Sequence, residues 1–234
     1  MQNNKNLVAL NEVIIHCREC PRLVEWREIV AVRKKKAYVD REYWGKPGPG
    51  FGDINGRLLI IGLAPGAHGS NRTGRMFTGD ASGDFLFPAL HHAGFANQPN
   101  AESSSDGLEL FNVFITAVCR CVPPKNKPTR MEIENCRYYL KSEMKLMRNL
   151  KGIVALGSIA FYESILLLKN TYNFQSEIKL KFGHGSVYLE KNTHTPWLLA
   201  SYHPSRQNTQ TGRLTEKMFA SIWRKAKNLL PTRN

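Results

Sequence analysis

Short apolar segments that alternate with helical segments constrain the fold more than any other feature of this sequence. The apolar segments cover residues 57–63, 111–118, 152–158 and 197–202. The helical segments between them cover residues 82–93, 130–150 and 159–168. Such alternation indicates a mainly parallel sheet that is covered by helices on both faces. We therefore predict an α/β fold in which ligands bind beyond the carboxyl ends of the strands.

The rest of the chain gives weaker signals. Helical spacing predicts further helices at residues 5–16, 23–43 and 214–230. Glycine, proline and small polar residues predict loops at residues 45–53 and 97–107. Residues 170–193 fit no single element, and a hairpin is one interpretation.

Length and charge limit the function classes. A chain of 234 residues that is 42% hydrophobic fits one domain with a sizeable core. Lys and Arg exceed Asp and Glu by 33 − 19 = 14, which favours polyanionic partners, although a merely basic surface is the alternative. We expect no membrane span and no secretory signal, hence a cytoplasmic protein in which disulfides are rare.

Residues 62–80, GLAPGAHGSNRTGRMFTGD, follow the first apolar segment and contain five glycines. Their spacing fits neither a P-loop nor G-x-G-x-x-G, which disfavours a nucleotide cofactor. Backbone amides near residues 65–68, the ring of Phe77 and the carboxylate of Asp80 suit a flat polar ring such as a nucleobase. The alternatives are that Phe77 is a core residue and that Asp80 caps the helix beginning near Ser82.

Five cysteines indicate a metal centre. Cys17 and Cys20 form a C-x2-C pair, and Cys121 and Cys136 form a distant C-x14-C pair. Four thiolates from two such pairs suit zinc or an iron–sulfur cluster equally well on spacing alone. The alternative is that these are ordinary buried thiols. Cys119 complicates the assignment because, in a strand, it would point to the same face as Cys121.

The last apolar segment ends at His203-Pro204-Ser205, and a polar, basic stretch follows it. A lone histidine after a strand is more often structural than catalytic. Residues 205–213 could nevertheless lie on DNA and push a side chain into the base stack. The run of cations at residues 33–36 and those of the last helix are interpreted as solvated faces.

Together these motifs resemble the uracil-DNA glycosylase superfamily, and within it the iron–sulfur type-b branch, family 5. The resemblance covers nearly the whole chain: the C-x2-C pair, the nineteen-residue loop, CVPPKNKPT at 121–129 and HPSRQNTQTGRLT at 203–215. It implies one α/β/α sandwich domain over residues 1–234, whose N-terminal segment is tied on by a structural [4Fe–4S] cluster. It also implies that Cys121, and not Cys119, is a ligand. The implied ligands are Cys17, Cys20, Cys121 and Cys136.

The resemblance also implies roles for the remaining motifs. Most relatives carry a catalytic Asp, Asn or Glu where this chain has Leu63, so the acid moves to Asp80. His203 would stabilise the departing base as a neutral donor, and Asn126 would hydrogen-bond the base or water unless it is merely a turn residue. The base would be surrounded by Gly62, Ala64, Pro65, Gly66, His68 and Phe77. DNA would be contacted by Ser205, Arg206, Gln207 and Arg213.

The expected activity is hydrolysis of the N-glycosidic bond of uracil, hypoxanthine or xanthine in DNA, by a monomer that first flips the nucleotide out of the duplex. Phe77 would stack on the flipped base. One alternative is a non-catalytic iron–sulfur protein that binds damaged DNA. Another is a zinc-stapled hydrolase of free nucleosides, which would not need so positive a charge.

Overall fold

In the computed structural model, residues 2–175, 180–190 and 194–230 are described, and they form a helix-covered sheet. The strands are β1 (Phe51–Gly52), β2 (Leu58–Gly62), β3 (Val113–Ala117), β4 (Gly152–Leu156), β5 (Val187–Tyr188) and β6 (Trp197–Ser201). The helices are α1 (Gln2–Ile15), α2 (Pro21–Arg33), α3 (Ser70–Thr73), α4 (Gly83–His92), α5 (Arg130–Leu146), α6 (Ser158–Tyr172), α7 (Arg206–Gln210) and α8 (Glu216–Leu229). Short 3-10 turns lie at Lys36–Tyr38 and Pro124–Asn126.

The sheet is mainly parallel, as predicted. Its strand order is β1-β3-β2-β4-β6-β5, and the four central strands all run in one direction. Among the strands of the described residues, the two-residue edge strands β1 and β5 pair in antiparallel fashion. Because the central strands are parallel, the segments that follow them emerge at one edge of the sheet.

Two hydrophobic layers cover the sheet, one on each face. Along β2, Leu58 and Ile60 face the layer formed with α4 and α8, whereas Leu59 and Ile61 face the layer formed with α5 and α6. This alternation follows from the two-residue period of a strand. All five residues of each central strand are buried, which explains their continuous apolar sequences. The architecture is therefore the predicted α/β/α sandwich.

The helix predicted at residues 23–43 ends ten residues early, at Arg33. Lys34 adopts a left-handed φ of 49° and its amide bonds to Val30 O, which closes the last turn. Four successive cations begin at Arg33, and their mutual repulsion disfavours a continued helix. The chain that follows α2 is therefore an irregular, cation-rich segment.

Other bounds shift by smaller amounts. Helix α5 ends at Leu146, α6 extends to Tyr172, and the predicted loop at 45–53 contains the short strand β1. In the ambiguous segment 170–193, β5 pairs with β6. Residues 176–179 and 191–193 of that segment lie outside the described residues.

No helix in the described part of the chain is both long enough and apolar enough to cross a membrane.

Candidate active site at the carboxyl edge of the sheet

Two predicted site segments meet at the carboxyl edge of the sheet. Residues 62–80, called the glycine loop below, follow β2, and His203 follows β6. The rings of Phe77 and His203 are stacked, with centroids 5.8 Å apart. Gly157, after β4, donates its amide to Ser201 O at 2.8 Å and so joins the ends of the two strands on that side. The sheet therefore brings together residues more than a hundred positions apart.

The glycines of the loop make room for the loop's own Asp80. A methyl group placed on Gly69 would lie 1.9 Å from Asp80 Oδ2, and one on Gly66 would lie 2.7 Å from the same atom. A side chain at either position would displace the carboxylate. The backbone of residues 66–69 and the Asp80 carboxylate consequently form one compact unit.

The carboxylate of Asp80 is held at the start of α4. Its Oδ1 accepts the amides of Ser82 and Gly83 at 3.0 and 3.1 Å. The capping alternative raised by the sequence is therefore correct for one oxygen, whereas Oδ2 faces the glycine loop. Burial raises the pKa of Asp80, while the two amide donors act in the opposite direction.

Phe77 is buried against the loop and the first strand. A methyl group on Gly62 would lie 2.7 Å from its ring, and its amide donates to Ser70 Oγ at 3.0 Å. Phe77 has a φ of 55°, a conformation that non-glycine residues adopt only where the surroundings enforce it. One side of the ring is covered by His203. The core alternative for Phe77 thus describes its burial correctly, and its position beside His203 is an additional feature.

His203 lies between Phe77 and an open cavity. The cavity measures about 230 Å³, and its lining includes Leu63, Ser158, Tyr202, Asn208 and Arg213 besides His203. The imidazole is half-buried, and burial lowers its pKa to about 4. It is therefore neutral at physiological pH, as the proposed donor role requires.

Backbone amides of the glycine loop are available as donors. Among the described residues, the amides of Gly66, Ala67, His68 and Gly69 have no hydrogen bond to a protein acceptor. Three of these four residues are half-buried and reach the surface. Unpaired backbone amides in a partly buried loop form a favourable environment for a carbonyl oxygen or an anion.

Other side chains of the loop serve its own structure. Arg72 donates to the backbone oxygens of His68 and Gly79, at 2.8 and 3.0 Å. His68 Nδ1 lies 3.0 Å from the hydroxyl of Tyr43, which sequence reasoning did not connect with this loop. Arg75 forms an ion pair with Asp106 at 2.7 Å. Of the remaining base-binding candidates, Gly62 is the last residue of β2 and is buried, Pro65 is buried, and Ala64 and Gly66 are half-buried.

Asn126 has a different environment. It is exposed, has a φ of 55° and lies at the end of the 3-10 turn Pro124–Asn126. Within the described residues no contact joins it to Asp80 or His203. Its conformation matches the turn-residue alternative, since asparagine tolerates the left-handed region.

The predicted DNA-contacting stretch forms a small exposed helix. Arg206 and Gln207 lie in α7, Ser205 Oγ accepts the amide of Asn208 at 3.4 Å, and the Arg213 guanidinium lies 4.8 Å from the Tyr202 ring centroid. Asn208 Nδ2 donates to His203 O at 2.9 Å and so ties α7 to the histidine. No sequence signal identified Asn208, because this contact depends on how the turn folds back.

The four cysteines of the two predicted pairs lie in one region of the fold. Cys20 and Cys121 share a buried cluster, and charges on Cys17 and Cys136 reach both of them. Cys119 lies in the core layer beneath α5 together with Cys136, and the thiols of these two cysteines are in hydrogen-bonding contact. Because β3 ends at Ala117, neither Cys119 nor Cys121 lies in a strand, and the expectation of a shared strand face does not apply to them.

The surroundings of the cysteines suit an anionic thiolate group. The buried Arg27 donates from Nη1 to Cys121 Sγ at 3.0 Å and to Cys17 O at 3.2 Å, and its Nε has no partner in the described residues. Asn135 Nδ2 donates to Cys20 Sγ at 3.5 Å. No group of three or more His, Cys, Asp or Glu side chains in the described ranges is placed so as to hold a metal ion. Arg27 O also accepts a hydrogen bond from Asn71 of the glycine loop at 3.2 Å.

Comparison with known proteins gives consistent matches. The family model of the uracil DNA glycosylase superfamily matches residues 49–227. The Type-5 uracil-DNA glycosylase of Thermus thermophilus is 49% identical over 226 residues, which cover 94% of this chain and 97% of that protein. The Type-5 enzyme of Mycobacterium tuberculosis is 48% identical over 225 residues, covering 96% and 82%. A Type-4 uracil-DNA glycosylase of Archaeoglobus fulgidus is 30% identical over 181 residues, covering 76% and 79%.

Proposed function

Because the chain belongs to the uracil-DNA glycosylase superfamily, we propose that it is a DNA glycosylase that hydrolyses the N-glycosidic bond of uracil in DNA. The observation that carries this proposal is the juxtaposition at the carboxyl edge of the sheet. A half-buried carboxylate and free amides lie in the glycine loop, and Phe77 of the same loop stacks on a neutral histidine. The product would be an abasic site in DNA and a free base.

The substrate class follows from the donors of the glycine loop. Uracil, hypoxanthine and xanthine each carry a carbonyl oxygen where the parent base carries an amino group. The unpaired amides of residues 66–69 can donate to such an oxygen but cannot accept from an amino group. We therefore extend the proposed substrates from uracil to hypoxanthine and xanthine.

The reaction requires the nucleotide to leave the duplex, at a cost of a few kcal/mol that is smallest for a mispaired base. Contacts from Arg and Lys to phosphate offset this cost. The flipped nucleotide leaves a gap in the base stack. We assign the filling of this gap to residues 205–213, whose Arg206 and Gln207 are exposed on α7. A free nucleoside hydrolase would need neither feature.

The bond-breaking step places positive charge on the sugar and an electron pair on the departing base. Amides of the glycine loop and neutral His203 would stabilise that anion, which later takes a proton from solvent. Asp80 would stabilise the sugar cation and accept a proton from the water that adds to the sugar carbon. Its fixed Oδ1 leaves Oδ2 as the reactive oxygen.

The roles of Phe77 and Asn126 differ in their support. Phe77 is covered on one side by His203, so we assign it the role of holding the imidazole in addition to meeting the base. Asn126 remains a candidate partner of the base or water because DNA binding could bring its exposed loop to the site. No contact among the described residues supports that role, and Asn126 is exposed.

A [4Fe–4S] cluster is the cofactor that we propose for Cys17, Cys20, Cys121 and Cys136. Such a cluster takes one thiolate per iron, so its ligands do not share one ion. The neighbouring thiols, with N–H donors directed at Cys20 and Cys121, support this proposal. When bound, it would supply a structural link between the N-terminal helices and the body, and no chemistry. If the protein has no absorbance shoulder in the visible range and contains about one zinc ion per chain, the assignment of an iron–sulfur cluster is contradicted.

The decisive experiment is a panel of duplexes that each contain one deaminated base. We expect abasic sites to form where uracil is paired with a mismatched partner. We expect the same, after uracil, for hypoxanthine and xanthine. Release of uracil but of neither purine would reject the extended substrate class alone. Tight binding to uracil-containing DNA without any base release would instead identify a non-catalytic damage-binding protein.

A further inference from the structure

A cation-rich segment lies beside the glycine loop and has no role in the chemistry described above. Residues 33–46, called the basic segment below, contain six cations and two carboxylates. The cations are Arg33, Lys34, Lys35, Lys36, Arg41 and Lys46, and five of the six are exposed. None of them forms an ion pair with a carboxylate of the described residues. This charge is therefore available to a ligand.

The basic segment is fixed to the glycine loop by its backbone. The amides of Trp44 and Gly45 donate to the carbonyl oxygens of Arg72 and Asn71, at 2.9 and 3.0 Å. The Trp44 ring fills the space above Gly74, where a methyl group would lie 3.0 Å from the indole. These contacts hold the segment in one position along the rim of the site.

Two aromatic side chains connect the cations to the loop itself. The Tyr43 hydroxyl lies 3.0 Å from His68 Nδ1, and the Arg72 guanidinium lies 4.1 Å from the Tyr38 ring centroid. The charge of Lys35 helps to lower the pKa of His68, after the larger effect of burial. The charge of the basic segment thus acts on a side chain of the glycine loop.

The arginines of the glycine loop cannot replace this charge. Arg72 is used by two backbone oxygens of the loop, and Arg75 is paired with Asp106. The free cations on this rim belong to the basic segment, whereas those near His203 belong to residues 205–213. The proposed base site lies between these two stretches, because His68 contacts one and Phe77 stacks on His203 beside the other.

We propose that the basic segment binds the DNA backbone, contacting phosphates on the side of the flipped nucleotide opposite to residues 205–213. The proposal rests on the proposed function for its choice of DNA. A polyanion with regularly spaced charges suits several exposed lysines that are held on a fixed backbone. An acidic protein surface would also be attracted, and the test separates the two partners.

The test compares two triple variants of equal charge. Lys35→Gln, Lys36→Gln and Lys46→Gln alter the basic segment. Lys145→Gln, Arg148→Gln and Lys151→Gln remove the same charge from exposed positions at the end of α5 and just before β4, at the opposite edge of the sheet. The Kd for an undamaged duplex is measured for each variant and for the wild type across a series of salt concentrations.

Each lost phosphate contact should reduce the slope of log Kd against log salt by about 0.9. We expect a reduction of about 2 to 3 for the basic-segment variant and of less than about 0.5 for the control. Equal slopes for the two variants would overturn the proposal and leave an acidic protein as the partner. Because the duplex carries no uracil, this result does not depend on catalysis.

A second measurement separates this proposal from the proposed function. With enzyme saturating over a uracil-containing duplex, the basic-segment variant should release uracil within about threefold of the wild-type rate. If the wild type releases no uracil, the proposed glycosylase activity is rejected. The salt dependence of Kd still tests whether the basic segment binds DNA. A variant with the wild-type slope and a much slower release would refute a binding role.

Discussion

The rings of Phe77 and His203 are stacked, with centroids 5.8 Å apart and planes inclined by 28°. This contact joins the end of the glycine loop to the turn after β6, and it covers one side of the Phe77 ring. A flipped base therefore cannot lie between the two rings without displacing one of them. The geometry favours His203, which also lines the open cavity, as the group nearer to the base.

His203→Ala should slow uracil excision more than it weakens DNA binding. Loss of one donor to a developing anion typically lowers the rate about 10²- to 10³-fold. The Kd for uracil-containing DNA should change by no more than about threefold. Single-turnover excision and equilibrium binding check both values, and a larger effect on binding than on rate would contradict the role. Phe77→Leu should give the same pattern with a smaller loss of rate, because it removes the aromatic support of the imidazole and an aromatic contact to the base but no hydrogen-bond donor.

Asp80→Asn should abolish excision and stabilise the fold. The amide oxygen can still accept the hydrogen bonds of Ser82 and Gly83, but the charge is lost. Burial raises the pKa of Asp80, so its contribution to stability is present below the unfolded pKa and is lost as pH rises through the folded one. At pH 7 the ionised group therefore destabilises the fold, and its removal should raise Tm by a few degrees.

Asp84→Asn is the matched control for that variant. Asp84 is exposed on the first turn of α4, four residues after Asp80. Excision should stay within about threefold of the wild-type rate. Normal single-turnover excision by Asp80→Asn, or equal losses in the two variants, would refute the assignment of Asp80.

Stability should depend on pH through His203. Its folded pKa of about 4 lies below the ordinary value near 6.5, so the unfolded chain takes up the proton first. The stabilisation is complete above pH 6.5 and is lost progressively as pH falls towards 4. The difference in unfolding free energy between the wild type and His203→Asn should shrink across that window. A pH-independent difference, measured by urea unfolding, would show that the imidazole is not held neutral.

Gly69→Ala should inactivate the enzyme without unfolding it. The added methyl group would lie 1.9 Å from Asp80 Oδ2, so the carboxylate must move. We expect excision to fall by at least tenfold, and Tm to fall by a few degrees. Gly212→Ala is a control at which the methyl group meets nothing within 4 Å, although its φ of 71° carries some backbone strain. Similar excision by both variants would argue against a fixed carboxylate.

Arg27→Met should weaken the attachment of the N-terminal segment. Arg27 bonds to Cys121 Sγ and Cys17 O, and its own carbonyl accepts from Asn71. Loss of the two side-chain bonds should cost about 2 to 3 kcal/mol and speed the loss of iron from the proposed cluster in air, whereas the bond to the Arg27 carbonyl remains. Thermal unfolding and the decay of the visible absorbance measure the two effects. The exposed Arg18→Met, which loses only the pair with Glu28, should behave like the wild type.

The layered fold and the position of the glycine loop could be predicted because they depend on local periodicity. Leu58 to Ile61 form a continuous apolar run, which is what a strand buried on both faces requires. Because parallel strands end at the same edge of the sheet, the residues that follow each strand can be placed at that edge from the sequence. Helix α2 was predicted too long because the repulsion among Arg33 and the lysines that follow it, and the cap at Lys34, override its helical spacing.

The sequence by itself determined the sandwich, the two cysteine pairs and the candidates Asp80 and His203. Only the tertiary structure decided that Phe77 stacks on His203, that one oxygen of Asp80 caps α4 and that the basic segment lies along the loop. It also placed Cys119 against Cys136, beyond the end of β3 at Ala117. The physical reason is that periodicity reports the environment of a residue along its own element. Contacts between distant segments depend on the packing of the whole sheet and its helices.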